Sequence, residues 1–165
     1  RGNIGVAYTY NEPLTGYEYV RDAAKIVKQY GMKNVLVTNG AFSEAVEESL
    51  LPYIDAMNVD LKGIREDTTG NGGDLGTVQN FIKKAADRCH VELAALIVPG
   101  ENDSREEMEE MAAWVASVNP DIPLHVNRFF PIWNMADKKA TETEEVYRLA
   151  ETARAYLKYV FVGNC

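Results

Sequence analysis

Along the chain, short apolar runs rich in Val, Ile and aromatic residues alternate with longer stretches whose apolar positions recur every three or four residues. Six of the short runs read as strands: Ile4 to Tyr10, Asn34 to Thr38, Ala56 to Leu61, Val91 to Val98, Leu124 to Phe129 and Tyr159 to Val162. Five helices are predicted between them. The first, Gly16 to Tyr30, sets Tyr19, Ala23, Ile26, Val27 and Tyr30 on one stripe and stops at Gly31, a glycine suited to the position after a helix. Ser43 caps the second, with Val46, Leu50 and Leu51 apolar and Pro52 as its stop. The third, from Leu75 to Arg88, turns Val78, Phe81, Ile82 and Ala85 inward. Ser104 opens the fourth through a Ser-x-x-Glu capping box, with Met108, Met111, Ala112 and Val115 as core stripe. The fifth starts at Thr141 or Thr143 and carries Val146, Leu149, Ala153 and Leu157 on one face.

Alternation of strand and helix implies an α/β fold of parallel strands joined by right-handed crossovers. Two closures fit: a doubly wound open sheet, or a (β/α) barrel, complete or partial. Both place function at the carboxyl ends of the strands. There the chain sets Asn11 and Glu12, then Thr38-Asn39-Gly40, then Asp60 and Lys62, then Pro99-Gly100 with Asn102 and Asp103, then His125, Asn127 and Arg128. Turn and cap chemistry accounts for Gly40, Gly100, Asn102 and Asp103. It does not account for Glu12, Asp60, Lys62 or His125. In "AMNVDLKG" the two-residue period turns Met57, Val59 and Leu61 to one side and Asn58, Asp60 and Lys62 to the other. Burying such charges without a task is costly, which favours a site. His125 shares a face with Asn127; a lone strand histidine is more often a satisfied core or rim residue. Tyr8, Tyr10, Phe129, Phe130 and Trp133 could stack on a planar ligand, but in β segments such residues are usually core or rim packing, and they are given no specific role.

The 165 residues, 46% of them hydrophobic, suffice for one core, so a single domain over 1–165 is expected. A net charge of −8 without a Lys/Arg cluster argues against a nucleic-acid or anionic-membrane surface. No apolar run approaches the roughly 18 to 20 residues of a membrane span, and no signal segment opens the chain; a cytoplasmic setting is expected. Cys89 and Cys165 form neither a disulfide framework nor a metal-binding spacing, and Cys89 reads as a small buried hydrophobe at a helix end. "GNGGDLG", Gly70 to Gly76, lacks the Lys-Ser/Thr of a P-loop and the position of a dinucleotide fingerprint, and reads as a loop leading into a helix. Arg1 stands just before "IGVAYTY" and Cys165 just after "YVFVGN", so both ends read as cut from a longer protein.

The motifs "YTYNEP", "VLVTNG", "DAMNVDLKG", "LIVPGENDS", "PLHVNRFFP" and "YVFVGNC" run through nearly the whole chain in order. Together they resemble the radical S-adenosylmethionine enzymes, within them the pyruvate formate-lyase activating enzyme-like group, and especially the branch called the AmmeMemoRadiSam-system radical enzyme. The resemblance implies most of a partial (β/α)6 barrel, truncated at both ends and lacking its first β/α unit, with ligand at its carboxyl end. It implies that Glu12, in the place of a Gly-Gly-Glu motif, accepts from the methionyl ammonium of S-adenosylmethionine. By the same implication Asn11 and Asn39 bind this cofactor, Asp60 and Lys62 line the substrate side, His125 reaches the ribose or adenosine region and Val98 packs near the adenine. The family's 4Fe-4S cluster needs a Cys-x-x-x-Cys-x-x-Cys loop, which this chain lacks. The expected parent therefore cleaves S-adenosylmethionine reductively to a 5′-deoxyadenosyl radical for hydrogen abstraction, while this fragment alone is inactive. Cys165 is not read as a cluster ligand. A protein substrate and an electron donor such as flavodoxin or ferredoxin are the implied partners. "GIREDTTGNGGDLG" departs from the longer aromatic and basic stretch of relatives, which leaves the covering of the site open.

Two other readings follow from the residues. One is a Schiff-base lyase, an aldolase-like barrel with Lys62 as nucleophile and Asp60 as proton shuttle. The other is a non-catalytic binding module, in which Glu12 contributes to no ligand's affinity.

Overall fold

The computed structural model describes residues 2–65 and 74–165. Its strands are β1 (Gly5–Tyr8), β2 (Lys33–Thr38), β3 (Ala56–Asp60), β4 (His90–Ile97), β5 (Leu124–Arg128) and β6 (Val160–Gly163). The helices are α1 (Tyr17–Gln29), α2 (Glu44–Leu50), α3 (Leu75–Ala86), α4 (Arg105–Val118) and α5 (Thr143–Arg154). The glycine-rich stretch read at Gly70 to Gly73 lies outside the described residues.

The six strands form one sheet in chain order, β1-β2-β3-β4-β5-β6, and the registers of β1 with β2, β2 with β3, β4 with β5 and β5 with β6 are parallel. A doubly wound sheet reverses its strand order at a switch point; this sheet does not, so its order is that of a (β/α) barrel segment. Packing divides the chain into two compact units, Arg1–Asp60 with Gly76–Glu92, and Leu61–Leu75 with Leu93–Cys165.

In the first unit the inward residues of β2 and β3, Leu36, Met57 and Val59, are buried, as are Val78, Phe81, Ile82 and Ala85 of α3. The face predicted for α1 is displaced. Val20, Ala24 and Val27 are buried, whereas Tyr19, Ile26 and Tyr30 are exposed. Two apolar stripes share this helix at about 100° per residue, and the period alone does not choose between them. The stripe with smaller side chains packs inward, and the tyrosine hydroxyls stay wet. Gly31 adopts φ 69 after α1, as a glycine there should. Ser43 does precede α2, but its side chain makes no capping hydrogen bond, and the inward residues of α2 are Glu47 and Leu50. Val46 and Leu51 are only half-buried.

Two polar residues tie the amino-terminal side of this unit. Asn34, wholly buried, donates through Nδ2 to the carbonyls of Ala24 (3.0 Å) and Tyr53 (2.9 Å) and accepts from the Tyr8 hydroxyl (3.1 Å). Its backbone N–H donates to Asp55 Oδ2 at 2.9 Å, and Lys28 and Lys33 donate to Asp55 Oδ1 at 2.7 and 3.0 Å. Burial by itself raises the Asp55 pKa, but these donors outweigh it and hold the carboxyl at about 2.

In the second unit the inward positions of β4 and β5, Leu93, Ala95, Ile97, Leu124 and Val126, alternate with half-buried or exposed ones. The stripes predicted for α4 and α5 are buried as read, and Ser104 caps α4 by accepting from the Glu107 N–H at 3.2 Å. Thr141 does not start a helix; α5 begins at Thr143 behind the extended Glu142. Thr141 is instead 1% exposed, its hydroxyl donating to the Ile97 carbonyl (2.6 Å) and accepting from the Phe129 N–H (3.2 Å).

Two outcomes follow for stability. Replacing Thr141 by Val leaves Ile97 and Phe129 each short of a partner and is expected to cost about 2 kcal/mol, read as a lower denaturant midpoint at unchanged slope. Because the Asp55 carboxyl sits at about 2 when folded, below its ordinary 3.8, its contribution is complete above pH 4 and is lost as pH falls toward 2. Its size is on the order of 2 kcal/mol. Urea titrations between pH 2 and 5 should show this slope, and Asp55→Asn should flatten it.

Candidate active site at the strand ends

In the first unit β1 gives way to the 3-10 turn Pro13–Gly16, and Glu12 caps that turn. Its backbone is extended, φ −137, and Pro13 at the first turn position has no N–H to leave unsatisfied. Glu12 Oε1 accepts from the Leu14 N–H (3.1 Å) and from the Thr38 hydroxyl (2.7 Å), while Oε2 accepts from the Asn39 N–H (2.7 Å). A carboxylate has about four acceptor directions, so three donors fix this one and leave Oε2 room for another. Glu12 lies on the wall of a cavity of about 490 Å³ shared with Tyr8, Tyr10, Asn11, Pro13 and Tyr19.

The end of β2 is shaped to hold it. Asn39 Oδ1 accepts from the Ala41 N–H at 2.9 Å, an Asx turn, and the Gly40 N–H donates to Thr38 Oγ1 at 3.2 Å. Gly40 has φ 68, which strains any other residue, and a Cβ there would crowd Val59 Cγ1 at 3.1 Å and Phe81 Cδ1 at 3.3 Å. Asn11 is exposed. Asp60, at the end of β3, is exposed as well, with Met57 and Val59 buried on the opposite side as the two-residue period demands.

In the second unit the Lys62 side chain is exposed, while its carbonyl accepts from Asn102 Nδ2 at 2.8 Å. Asn102, 4% exposed, also donates to the Leu96 carbonyl (2.9 Å) and accepts from the Val98 N–H (2.7 Å). One carboxamide thus ties the Lys62 backbone to Val98, which is itself buried. Half-buried His125 stacks on Phe161, centroids 5.3 Å apart at 26°, the residue paired with it in the β5–β6 register. Beside them a Cβ at Gly163 would lie 2.0 Å from Asn127 Oδ1, so the absence of a side chain lets Asn127 lie over the strand.

The fold therefore brings Glu12 and Asn39 into contact in the first unit and joins Lys62 to Val98 in the second. Thr38, Asn102 and Phe161 complete these groupings and were not among the residues read as a site. Thr38 shows only as a hydroxyl at a strand end, with nothing in the sequence to pair it with Glu12. Asn102 passes for an ordinary turn residue, and Phe161 is marked only by its register.

Among the described residues no three His, Cys, Asp or Glu side chains gather as a metal would require. Cys89 is half-buried, its thiol donating to the Ala85 carbonyl at 3.5 Å, and burial pushes its pKa up to about 11. Cys165 is exposed. These two do not fit an iron–sulfur cluster, which needs a set of thiolates. No described helix is long and apolar enough to cross a membrane.

The chain belongs to the radical SAM superfamily, whose profile matches residues 1–115. The uncharacterized protein MJ0808 of Methanocaldococcus jannaschii is 32% identical over 171 residues, covering 97% of this chain and 49% of that protein. The chain thus spans about half the length of this relative. A domain of pyruvate-formate lyase-activating enzyme from Bacteroides vulgatus superposes with a TM-score of 0.79 at 18% identity, covering 98% of this chain and all of that one. A radical SAM methyltransferase from Sphaerobacter thermophilus does so with 0.79 at 16% identity, covering 98% of this chain and 51% of that one. The partial barrel of this superfamily is the fold described above.

Glu12→Gln replaces one acceptor oxygen by an N–H₂ facing a donor, and is expected to lower stability by about 2 kcal/mol in chemical denaturation. Asn11→Ala, at an exposed position, should stay within about 0.5 kcal/mol of the parent.

Proposed function

We propose that this chain is the S-adenosylmethionine-binding core of a longer radical enzyme that cleaves this cofactor reductively for hydrogen abstraction. The observation that carries the reading is the Glu12 carboxylate, anchored by Leu14, Thr38 and Asn39 with acceptor capacity to spare on a cavity wall, in a chain of this superfamily. A methionyl ammonium is the complement of such a site, because a fixed anion pays no reorganisation when the cation arrives. When bound, the cofactor supplies the one-electron cleavage that a low-potential cluster triggers.

The chain's own residues then divide the remaining work. Asn11 and Asn39 flank the ammonium position. The stacked His125 and Phe161 offer a flat surface for the adenosine, with Val98 beside the adenine. Asp60 and Lys62, polar and exposed at the end of β3 and just beyond it, serve the substrate, Lys62 meeting a carboxylate and Asp60 orienting the group from which hydrogen is taken. The cluster ligands come from outside this chain, so the chain alone is inactive, and a reductant of the flavodoxin or ferredoxin class supplies the electron. A protein substrate would fit the activating-enzyme likeness and a different acceptor the methyltransferase likeness; fold does not choose between them.

The test is anaerobic reconstitution of the longer protein with iron and sulfide, followed by reduction and assay of 5′-deoxyadenosine, with this chain as control. Product from the longer protein alone is expected. Glu12→Gln should weaken S-adenosylmethionine binding roughly tenfold or more, the loss of one charge-assisted hydrogen bond. No product despite an assembled cluster, or unchanged affinity in Glu12→Gln, would overturn the reading.

A further inference from the structure

The first unit has a second cavity, of about 390 Å³, walled by α2 and α3 and lined by Ser43, Glu44, Glu47, Asn80, Lys83 and Lys84 among others. It falls within the range of roughly 300 to 1,000 Å³ typical of small-molecule sites. Its charges are not matched internally. Lys84 donates to Glu44 and lies 3.8 Å from Glu48, so that lysine is satisfied. Glu47 is 4% exposed, and its Oε1 is the one buried side-chain polar atom among the described residues without a hydrogen-bond partner. Lys83 is exposed and makes no ion pair among the described residues. The Ser43 hydroxyl, which stands where a helix cap would, makes no capping bond.

A buried carboxylate oxygen without a partner is costly, so its persistence calls for something that offsets it. Glu47 is among the residues that line the cavity, and the terminal torsion of a glutamate is broad and two-fold. Burial pushes its pKa up to about 7; Lys84 on α3 opposes this shift, and Glu44 and Glu48 on its own helix add to it. The thiol of Cys89 also feels its charge. Near neutral pH, a cationic donor would convert this group to its ionised form.

What remains on the walls once Glu44 and Lys84 are paired is one carboxylate and one ammonium. That pair is the mirror of a zwitterion. We propose that the cavity is a binding site for a small molecule of the α-amino acid class, its ammonium on Glu47 and its carboxylate on Lys83, with Ser43 and Asn80 as further hydrogen-bonding groups. The site is separate from the Glu12 cavity and does not rest on the function proposed above.

The experiment is calorimetric titration of the longer protein with the proteinogenic amino acids, alongside their N-acetyl derivatives and carboxamides. At least one free amino acid should bind saturably, and more tightly at pH 8 than at pH 6, because Glu47 must ionise to receive the ammonium. Glu47→Gln, nearly isosteric, and Lys83→Met, at an exposed position, should each weaken it at least tenfold. Glu12→Gln should leave it unchanged, which separates this site from the cofactor cavity. The proposal is overturned if no amino acid binds, if the blocked derivatives bind equally well, if binding follows Glu12, or if folded Lys83→Met binds as tightly as the parent.

Discussion

The carboxylate of Glu12 holds the carboxyl ends of β1 and β2 in one arrangement, and the candidate site depends on that. It takes an N–H from its own turn at Leu14 and, across the sheet, the hydroxyl of Thr38 and the N–H of Asn39. Parallel strands leave their last backbone groups without ladder partners, and a side chain must supply what the ladder cannot. An anion in that role does two things at once. It satisfies donors at the strand ends, and it keeps acceptor capacity on a residue that lines a cavity.

The same economy of carboxamides and hydroxyls recurs elsewhere in the fold. Asn34 gathers a tyrosine hydroxyl and two carbonyls before β2 turns inward, Asn102 joins two carbonyls and an N–H beyond β4, and Thr141 closes a gap between Ile97 and Phe129. Each is nearly or wholly inaccessible and uses most of its hydrogen-bonding capacity, so each reads as structural support. Glu12 differs because it is only half-buried and keeps an unused direction.

Much of this was legible in the sequence, for reasons that differ by residue. Strands and helices followed from periodicity, since burial on one side enforces it over any stretch of adequate length. Strand order and the absence of a switch point did not, because pairing is decided by contacts remote in the chain. The face of α1 was misread because two apolar stripes competed, and only packing could choose Val20, Ala24 and Val27 over Tyr19, Ile26 and Tyr30. Glu12 stood out as a carboxylate that no turn rule required. Its partner Thr38, 26 residues away, did not, nor did Phe161 under His125, since neither role exists until the strands pair.

Two glutamates in the first unit show how far identity alone falls short of role. Glu12 sits outside the helices and meets three donors. Glu47 sits on the inward side of a short helix, meets none at Oε1, and is driven by burial to a pKa of about 7. Helical periodicity would have given position 47 to an apolar side chain, as it gave Leu50. A carboxylate kept there against that preference, beside a cavity carrying an unmatched lysine, is a local inconsistency of the kind that functional sites introduce into otherwise consistent folds. The function proposed for the chain gives Glu12 a task and gives Glu47 none, so the second residue has to be explained by the chemistry of its own surroundings.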